Sequence, residues 1–119
     1  MKIHSQLPVE CSEIVKAIIR RRPQLEPQIL DSLIKSFAAS RSWTAAKERA
    51  NLLMEFEQMT ADQVNEIFKA ATQNSEIKGS FGARDVLPKL FERHQGKVDG
   101  TIVEQLVKHQ FISDDYLPF

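Results

Sequence analysis

Leu30-Asp31-Ser32-Leu33-Ile34-Lys35 is the stretch whose reading decides the fold, because its pattern returns at Val64-Asn65-Glu66-Ile67-Phe68-Lys69 and at Val103-Glu104-Gln105-Leu106-Val107-Lys108. Each copy sets apolar residues at i, i+3 and i+4, the spacing that lines one stripe of an α-helix, and ends in a lysine whose head reaches water. The copies start 34 and 39 residues apart, the length of a helix-pair repeat. A second echo follows the first two copies: Ser42-Trp43-Thr44-Ala45 and Ser80-Phe81-Gly82-Ala83 share Ser-aromatic-x-Ala.

Outward from these stripes, every periodic segment keeps helical spacing and none alternates as a strand does. Six helices are expected. The first runs from Val9 to Arg22 with Ile14, Val15, Ile18 and Ile19 on its stripe, and Pro23 stops it. The second starts at Pro27 and buries Ile29, Leu30, Leu33, Ile34 and Phe37. The third, Trp43 to Gln58, has an apolar band wider than one face, which implies burial on two sides. Thr60-Ala61-Asp62-Gln63 is a capping box that opens the fourth, which ends near Ser75. A glycine-containing loop, Glu76 to Gly82, precedes a fifth helix carrying Val86, Leu87, Leu90 and Phe91 and closed by Gly96. Pro88 must lie in its first turn or kink it. Asp99 caps a sixth with Ile102, Val103, Leu106 and Val107, and residues 113–119 form a polar tail. The short loops favour antiparallel hairpins, so the expected fold is all-α, either a short right-handed solenoid or a compact bundle.

At 119 residues the chain is one domain, able to bury roughly two-thirds of its unfolded surface. Sixteen basic residues balance sixteen acidic ones, which removes the simplest argument for a nucleic acid or a charged membrane surface. Cys11 is the only cysteine, so an intrachain disulfide and a thiolate cluster are excluded, and a reducing cytoplasm fits best. No run approaches the roughly 18 to 20 apolar residues of a membrane span. The apolar ending Tyr116-Leu117-Pro118-Phe119 leaves open that the sequence is a segment of a longer chain.

The helix-pair period, the wide third helix and the repeated Ser-aromatic-x-Ala turn make residues 27–111 resemble the HEAT or armadillo-like class of α-helical repeats. More narrowly, Met59-Thr60-Ala61-Asp62-Gln63-Val64, followed by Asn74-Ser75-Glu76-Ile77 and Ser80-Phe81, is similar to helical-repeat segments attached to bacterial defence and signalling proteins. The resemblance implies a role in contacting a partner or transmitting its presence, and it carries over no catalytic residue. The unequal copy spacing departs from a regular array, which leaves the compact bundle open.

Chemistry-bearing clusters are sparse. His4, His94 and His109 are too dispersed for metal-ligand spacing, and Cys11 reads as a small packed thiol. Asp114-Asp115 and Glu55 with Glu57 point in different directions, and serine-nucleophile and phosphate-loop signatures are absent. No catalytic set, metal or cofactor is therefore expected. Gly79-Ser80-Phe81-Gly82 matches the Gly-x-x-Gly of a KH loop but lacks flanking strands, so it reads as a sharp turn using positive glycine φ. Arg20-Arg21-Arg22 reads first as a solvated cap at a helix C-terminus and second as a phosphate or acidic-surface contact. Lys78, Arg84, Lys89, Arg93 and His94 make a second basic set, diluted by Asp85 and Glu92. Trp43 and Phe81, at matched positions, are expected to pack in the core between helix pairs, where each removes about 150 to 250 Å² from water.

The expected function is a non-enzymatic protein-interaction module of the bacterial cytoplasm, in defence or toxin immunity. A helical nucleic-acid-binding or regulatory domain is the alternative. The expected partner contacts are Arg20, Arg21 and Arg22 at the end of the first helix with Asn74, Lys78, Ser80 and Arg84, and the binding surface is expected on the polar faces of helices three and five or in the loop Gln73 to Arg84.

Overall fold

The computed structural model describes residues 26–117 together with Ala17, Arg20 and Arg21. Of the expected first helix, only Ala17, Arg20 and Arg21 fall within the described residues, and they are helical. The described α-helices are α1 (Glu26–Ala38), α2 (Trp43–Leu53), α3 (Ala61–Gln73), α4 (Ser75–Lys78), α5 (Phe81–His94) and α6 (Gly100–Lys108), with 3-10 turns at Gln95–Lys97 and Asp114–Tyr116. There is no strand among the described residues, so the chain is all-α.

The starts are local chemistry. Ser42 and Ser80 each hold an extended or near-extended backbone and accept, on Oγ, the N–H three residues on, from Ala45 and Ala83. Ser-aromatic-x-Ala is thus a helix N-cap with the aromatic at the first helical position. Thr60 and Gln63 complete the reciprocal capping box, at 3.2 and 2.9 Å.

Side chains at the helix ends then set the directions. Gln63, in the first turn of α3, donates to Asp31 in α1 at 2.8 Å, and Asn74, just past the end of α3, donates to the Ala38 carbonyl at the end of α1 at 2.9 Å. Starts meet starts and ends meet ends, so α1 and α3 run parallel. Likewise Ser80 Oγ donates to the Trp43 carbonyl at 3.1 Å and Arg93 to the Met54 carbonyl at 2.9 Å, which makes α2 and α5 parallel. Asn65 of α3 donates to the Lys97 carbonyl and accepts from the Asp99 N–H, seating the start of α6 beside that of α3. Residues 39–42 reverse the chain between α1 and α2, and Gln58 and Met59 return beside Pro27 and Leu30. The result is two layers, α1–α3–α6 and α2–α5, running in opposite directions.

All three apolar stripes lie in the first layer. Leu30, Leu33, Ile34, Val64, Ile67, Phe68, Val103 and Leu106 are buried, Val107 is half-buried, and Lys35, Lys69 and Lys108 are exposed. Burial of these stripes is the main favourable term, about 1.5 to 3 kcal/mol for each large apolar side chain. Ser42 and Ser80 lie 38 residues apart against 34 for the first two stripes, and the four extra residues match the length of α4.

Five details differ from the sequence reading. α2 stops at Leu53 and not at Gln58, because Met54, Glu55 and Phe56 turn to i−3 bonds that swing Phe56 into the core. The expected loop after α3 contains α4, nucleated by Asn74, which ends α3 and caps Glu76 N–H with its own Oδ1, and anchored by buried Ile77. α5 starts at Phe81, so Pro88 sits in mid-helix, outside the first turn, and its missing N–H leaves the Arg84 carbonyl without an i+4 donor. Asp99 stands at the N-cap of α6 but makes no side-chain cap bond. The tail is docked: Tyr116 packs edge-on to Phe91 at 5.0 Å and donates to Glu92, so residues 111–116 cover the flank of α5.

No described glycine has positive φ, and Gly79 has φ −84, so the expected glycine reversal is replaced by a helical cap. The positive φ belongs to Gln110, at 64. It ends α6 in a Schellman motif, with Phe111 N–H bonded to the Leu106 carbonyl and Gln110 N–H to that of Val107. Gln110→Gly should relieve this conformation and raise stability by about 0.5 to 1 kcal/mol in urea unfolding; a destabilised variant would mean that the Gln110 side chain holds the cap.

Candidate functional site

Among the described residues two large apolar side chains escape the core: Trp43 is 61% and Phe81 81% exposed. This corrects the expectation that both pack between helix pairs, and the reason lies in helix geometry. Successive residues turn by about 100°, so Phe81 points about 200° away from Ala83, and Ala83 is buried. Trp43 stands at the margin of the buried stripe formed by Ala46, Ala50 and Leu53. Its indole instead lies along Gly79, with Nε1 3.5 Å from the point a Cβ there would occupy. Because α2 and α5 are parallel and tied at their starts, the two aromatics stand at the same end of one layer.

Gly82, next to Phe81, allows the close approach of α5 to α2. A Cβ at Gly82 would overlap the Cγ and Cδ of Lys47, so the lysine stem lies across α5 beside Phe81. Lys47, Arg41 and Thr44 are exposed, and Lys78 is half-buried three residues before Phe81. Asp85 is exposed one turn after it.

Three of the polar residues expected to meet a partner make hydrogen bonds within the fold, Ser80 buried and Asn74 and Arg84 half-buried. Asn74 donates to the Ala38 and Ser40 carbonyls and accepts from Glu76 N–H. Ser80 is buried, giving its proton to the Trp43 carbonyl and accepting from Ala83 N–H. Arg84 donates to the carbonyls of Lys78, His109 and Gln110 and lies 4.3 Å over the Phe111 ring. These three hold the scaffold under the aromatic face. Of the basic run, Arg20 and Arg21 are exposed, and Arg22 lies outside the described residues. The supposed basic strip on α5 is broken up: Lys89 and Arg93 are exposed, Arg93 bonds to Met54, and His94 is buried.

On the other layer, two shallow grooves run between neighbouring helices. The α1/α3 groove is floored by Ile34, Ala38 and Ala70 and edged by Lys35, Glu66 and Lys69. The α3/α6 groove is polar, with Asn65, Glu66, Thr72, Glu104 and Gln105. Among the described residues no group of three or more His, Cys, Asp or Glu side chains is placed to hold a metal ion, and no described helix is long and apolar enough to cross a membrane.

With the fold and this face described, comparison with protein-family models, with curated proteins and with solved structures finds no match.

His94 is the buried titratable group that bears on folding. It is 4% exposed, and its Nε2 has no hydrogen-bond partner. Burial, then the charges of Lys97 and Arg93, pushes its pKa below the ordinary 6.5. Half-buried His109 shifts the same way, by desolvation first and then by Lys78, Lys108 and Arg84. A histidine with a depressed folded pKa binds its proton more readily when unfolded, so stability is complete above about pH 6.5 and falls as pH drops toward the folded value. The urea midpoint should therefore decline from about pH 7 to pH 5, and less steeply in His94→Leu. Equal slopes would show that His94 protonates freely in the folded chain.

Proposed function

We propose that this chain is a non-enzymatic protein-interaction module that docks its partner on the face formed by Trp43 and Phe81. The observation that carries the reading is the exposure of two large aromatics, each at the first turn of a helix whose start is tied to the other's, in a chain whose other large apolar side chains are buried or half-buried among the described residues. Aromatic side chains dominate binding hot spots because they bring much apolar area at little rotamer cost, and an exposed pair is where such area would be used. A rigid setting adds to this: Ser80, Gly79 and Gly82 fix the two helix starts against each other.

The placement of all three stripes in one layer supports the reading of residues 27–111 as a HEAT or armadillo-like segment. With the likeness of Met59 to Val64 and Asn74 to Phe81 to bacterial defence and signalling segments, it favours a cytoplasmic adaptor or immunity role. The second reading, binding of single-stranded nucleic acid, draws on the same aromatics as stacking platforms with Arg41, Lys47 and Lys78 as phosphate contacts.

A photo-crosslinking residue placed at Phe81 in the native host should yield a protein adduct that is lost when Trp43→Ala is added. The same residue at Gln105, on the other layer, should yield none. Phe81→Ala should leave stability within about 0.5 kcal/mol, since the ring is mostly in water. Adducts of equal yield from both positions, or only to nucleic acid, would refute the protein-docking assignment.

A further inference from the structure

We infer that residues 112–117 are a strap that unlatches from α5 while the rest of the fold stays closed, with Tyr116 as the latch and Ile112-Ser113 as the hinge. Open, the strap uncovers the ring of Phe91 at the edge of the α2–α5 layer.

Its place follows from an imbalance between the layers. Three described helices, α1, α3 and α6, face two, α2 and α5. After α6, Gln110 takes a φ of 64 and turns the chain back. The 3-10 turn at Asp114–Tyr116 then touches α6, and Tyr116 packs edge-on to Phe91 of α5, so the tail lies between these two helices. Phe91 is in turn edge-on to Phe68 of α3 at 5.8 Å. A file of three rings therefore runs from the strap to the core. Phe91 is 2% exposed, whereas Ile112 and Tyr116 are only half-buried.

The two halves of the tail are fastened unequally. Residues 109–111 are bolted: Arg84 donates to the His109 and Gln110 carbonyls at 2.9 and 3.1 Å and lies over the Phe111 ring, and Phe111 N–H is bonded to the Leu106 carbonyl. Phe111 is also buried. Past it, the backbone bonds stay within the strap. Ser113 Oγ accepts from Asp115 N–H, and the Ser113 and Asp114 carbonyls accept from the N–H groups of Tyr116 and Leu117. Among the described residues, the one hydrogen bond from 112–117 to another element is that of the Tyr116 hydroxyl to Glu92, 3.2 Å long and exposed. That bond to Glu92, then burial and the charges of Glu92 and Asp115, raises the phenol's pKa above its ordinary 10.0, so it remains a donor at neutral pH. A segment folded on itself and held by one exposed hydrogen bond and two half-buried side chains opens at far lower free energy than the core it covers.

Tyr116 is the only tyrosine, so its ring protons report on the strap without a label. The full chain would be taken through rising urea, with proton NMR following the Tyr116 ring, shifted by the face of its aromatic neighbour, and circular dichroism following the helices. Tyr116 should reach its unfolded shifts at urea concentrations where the helical signal is still native. Glu92→Ala removes the acceptor and should raise the open fraction about fivefold, moving the Tyr116 transition to lower urea and leaving the helical one in place. Arg84→Gln loosens the bolt and should move both transitions. Coincident transitions in the parent chain would overturn the strap, and so would unfolded Tyr116 shifts without urea or a Glu92→Ala variant in which both transitions move together. An Arg84→Gln variant that moves the Tyr116 transition alone would put the hinge before Phe111 and overturn its assignment to Ile112-Ser113.

Discussion

Backbone carbonyls left over at helix ends are met by side chains from the neighbouring unit, and the arrangement of the molecule depends on this. The last four carbonyls of an α-helix have no donor within the helix, and burying one without a partner costs about 1 to 3 kcal/mol. Here Asn74 serves Ala38 and Ser40, Arg84 serves His109 and Gln110, and Arg93 serves Met54. Lys97 does the same for the Met59 carbonyl at 2.6 Å. Each bond fixes which end of one helix lies beside which end of the next. Apolar stripes can slide along one another at little cost, whereas a side chain that must reach one carbonyl sets the register.

The same requirement explains why so few polar groups are left for a partner on the α4–α5 junction. A hydrogen-bonding side chain at a crowded helix end is consumed by the fold. What remains outside is what the fold cannot use: aromatic rings turned outward by their caps, and lysine and arginine heads that favour water. The candidate face is therefore built from apolar area and charge, with little hydrogen-bonding capacity.

Two buried polar groups add tension to the core. Arg49 is 7% exposed, and burial lowers its pKa, yet it donates to the Ser36 carbonyl at 2.9 Å and to Ser40 at 3.2 Å, joining α2 to the end of α1. His94 offers no such tie through Nε2. The first is a cation held by neighbours that a guanidinium can reach. The second is buried as a ring whose pKa is pushed down by desolvation and then by Lys97 and Arg93.

Helix type and most helix starts were legible in the sequence because they are local. A Ser or Thr cap and its N–H lie three residues apart, and a stripe shows itself within eight residues, so the starts after Ser42 and Thr60 and the stripes of α1, α3 and α6 stood where the pattern put them, while the Ser80 cap reads in sequence as part of a loop. α4 was hidden because one residue, Asn74, both ends a helix and starts the next, which from sequence resembles a loop. Which side of each helix meets another helix was settled by residues distant in sequence, from 13 positions for Arg49 and Ser36 to 39 for Arg93 and Met54. Phe81 and Trp43 looked like core by composition and face water by geometry, while Ser80 looked like surface and is buried, and half-buried Arg84 and Asn74 are bonded to backbone carbonyls. Amino-acid type states what a side chain prefers, and only the assembled neighbours decide whether that preference is met.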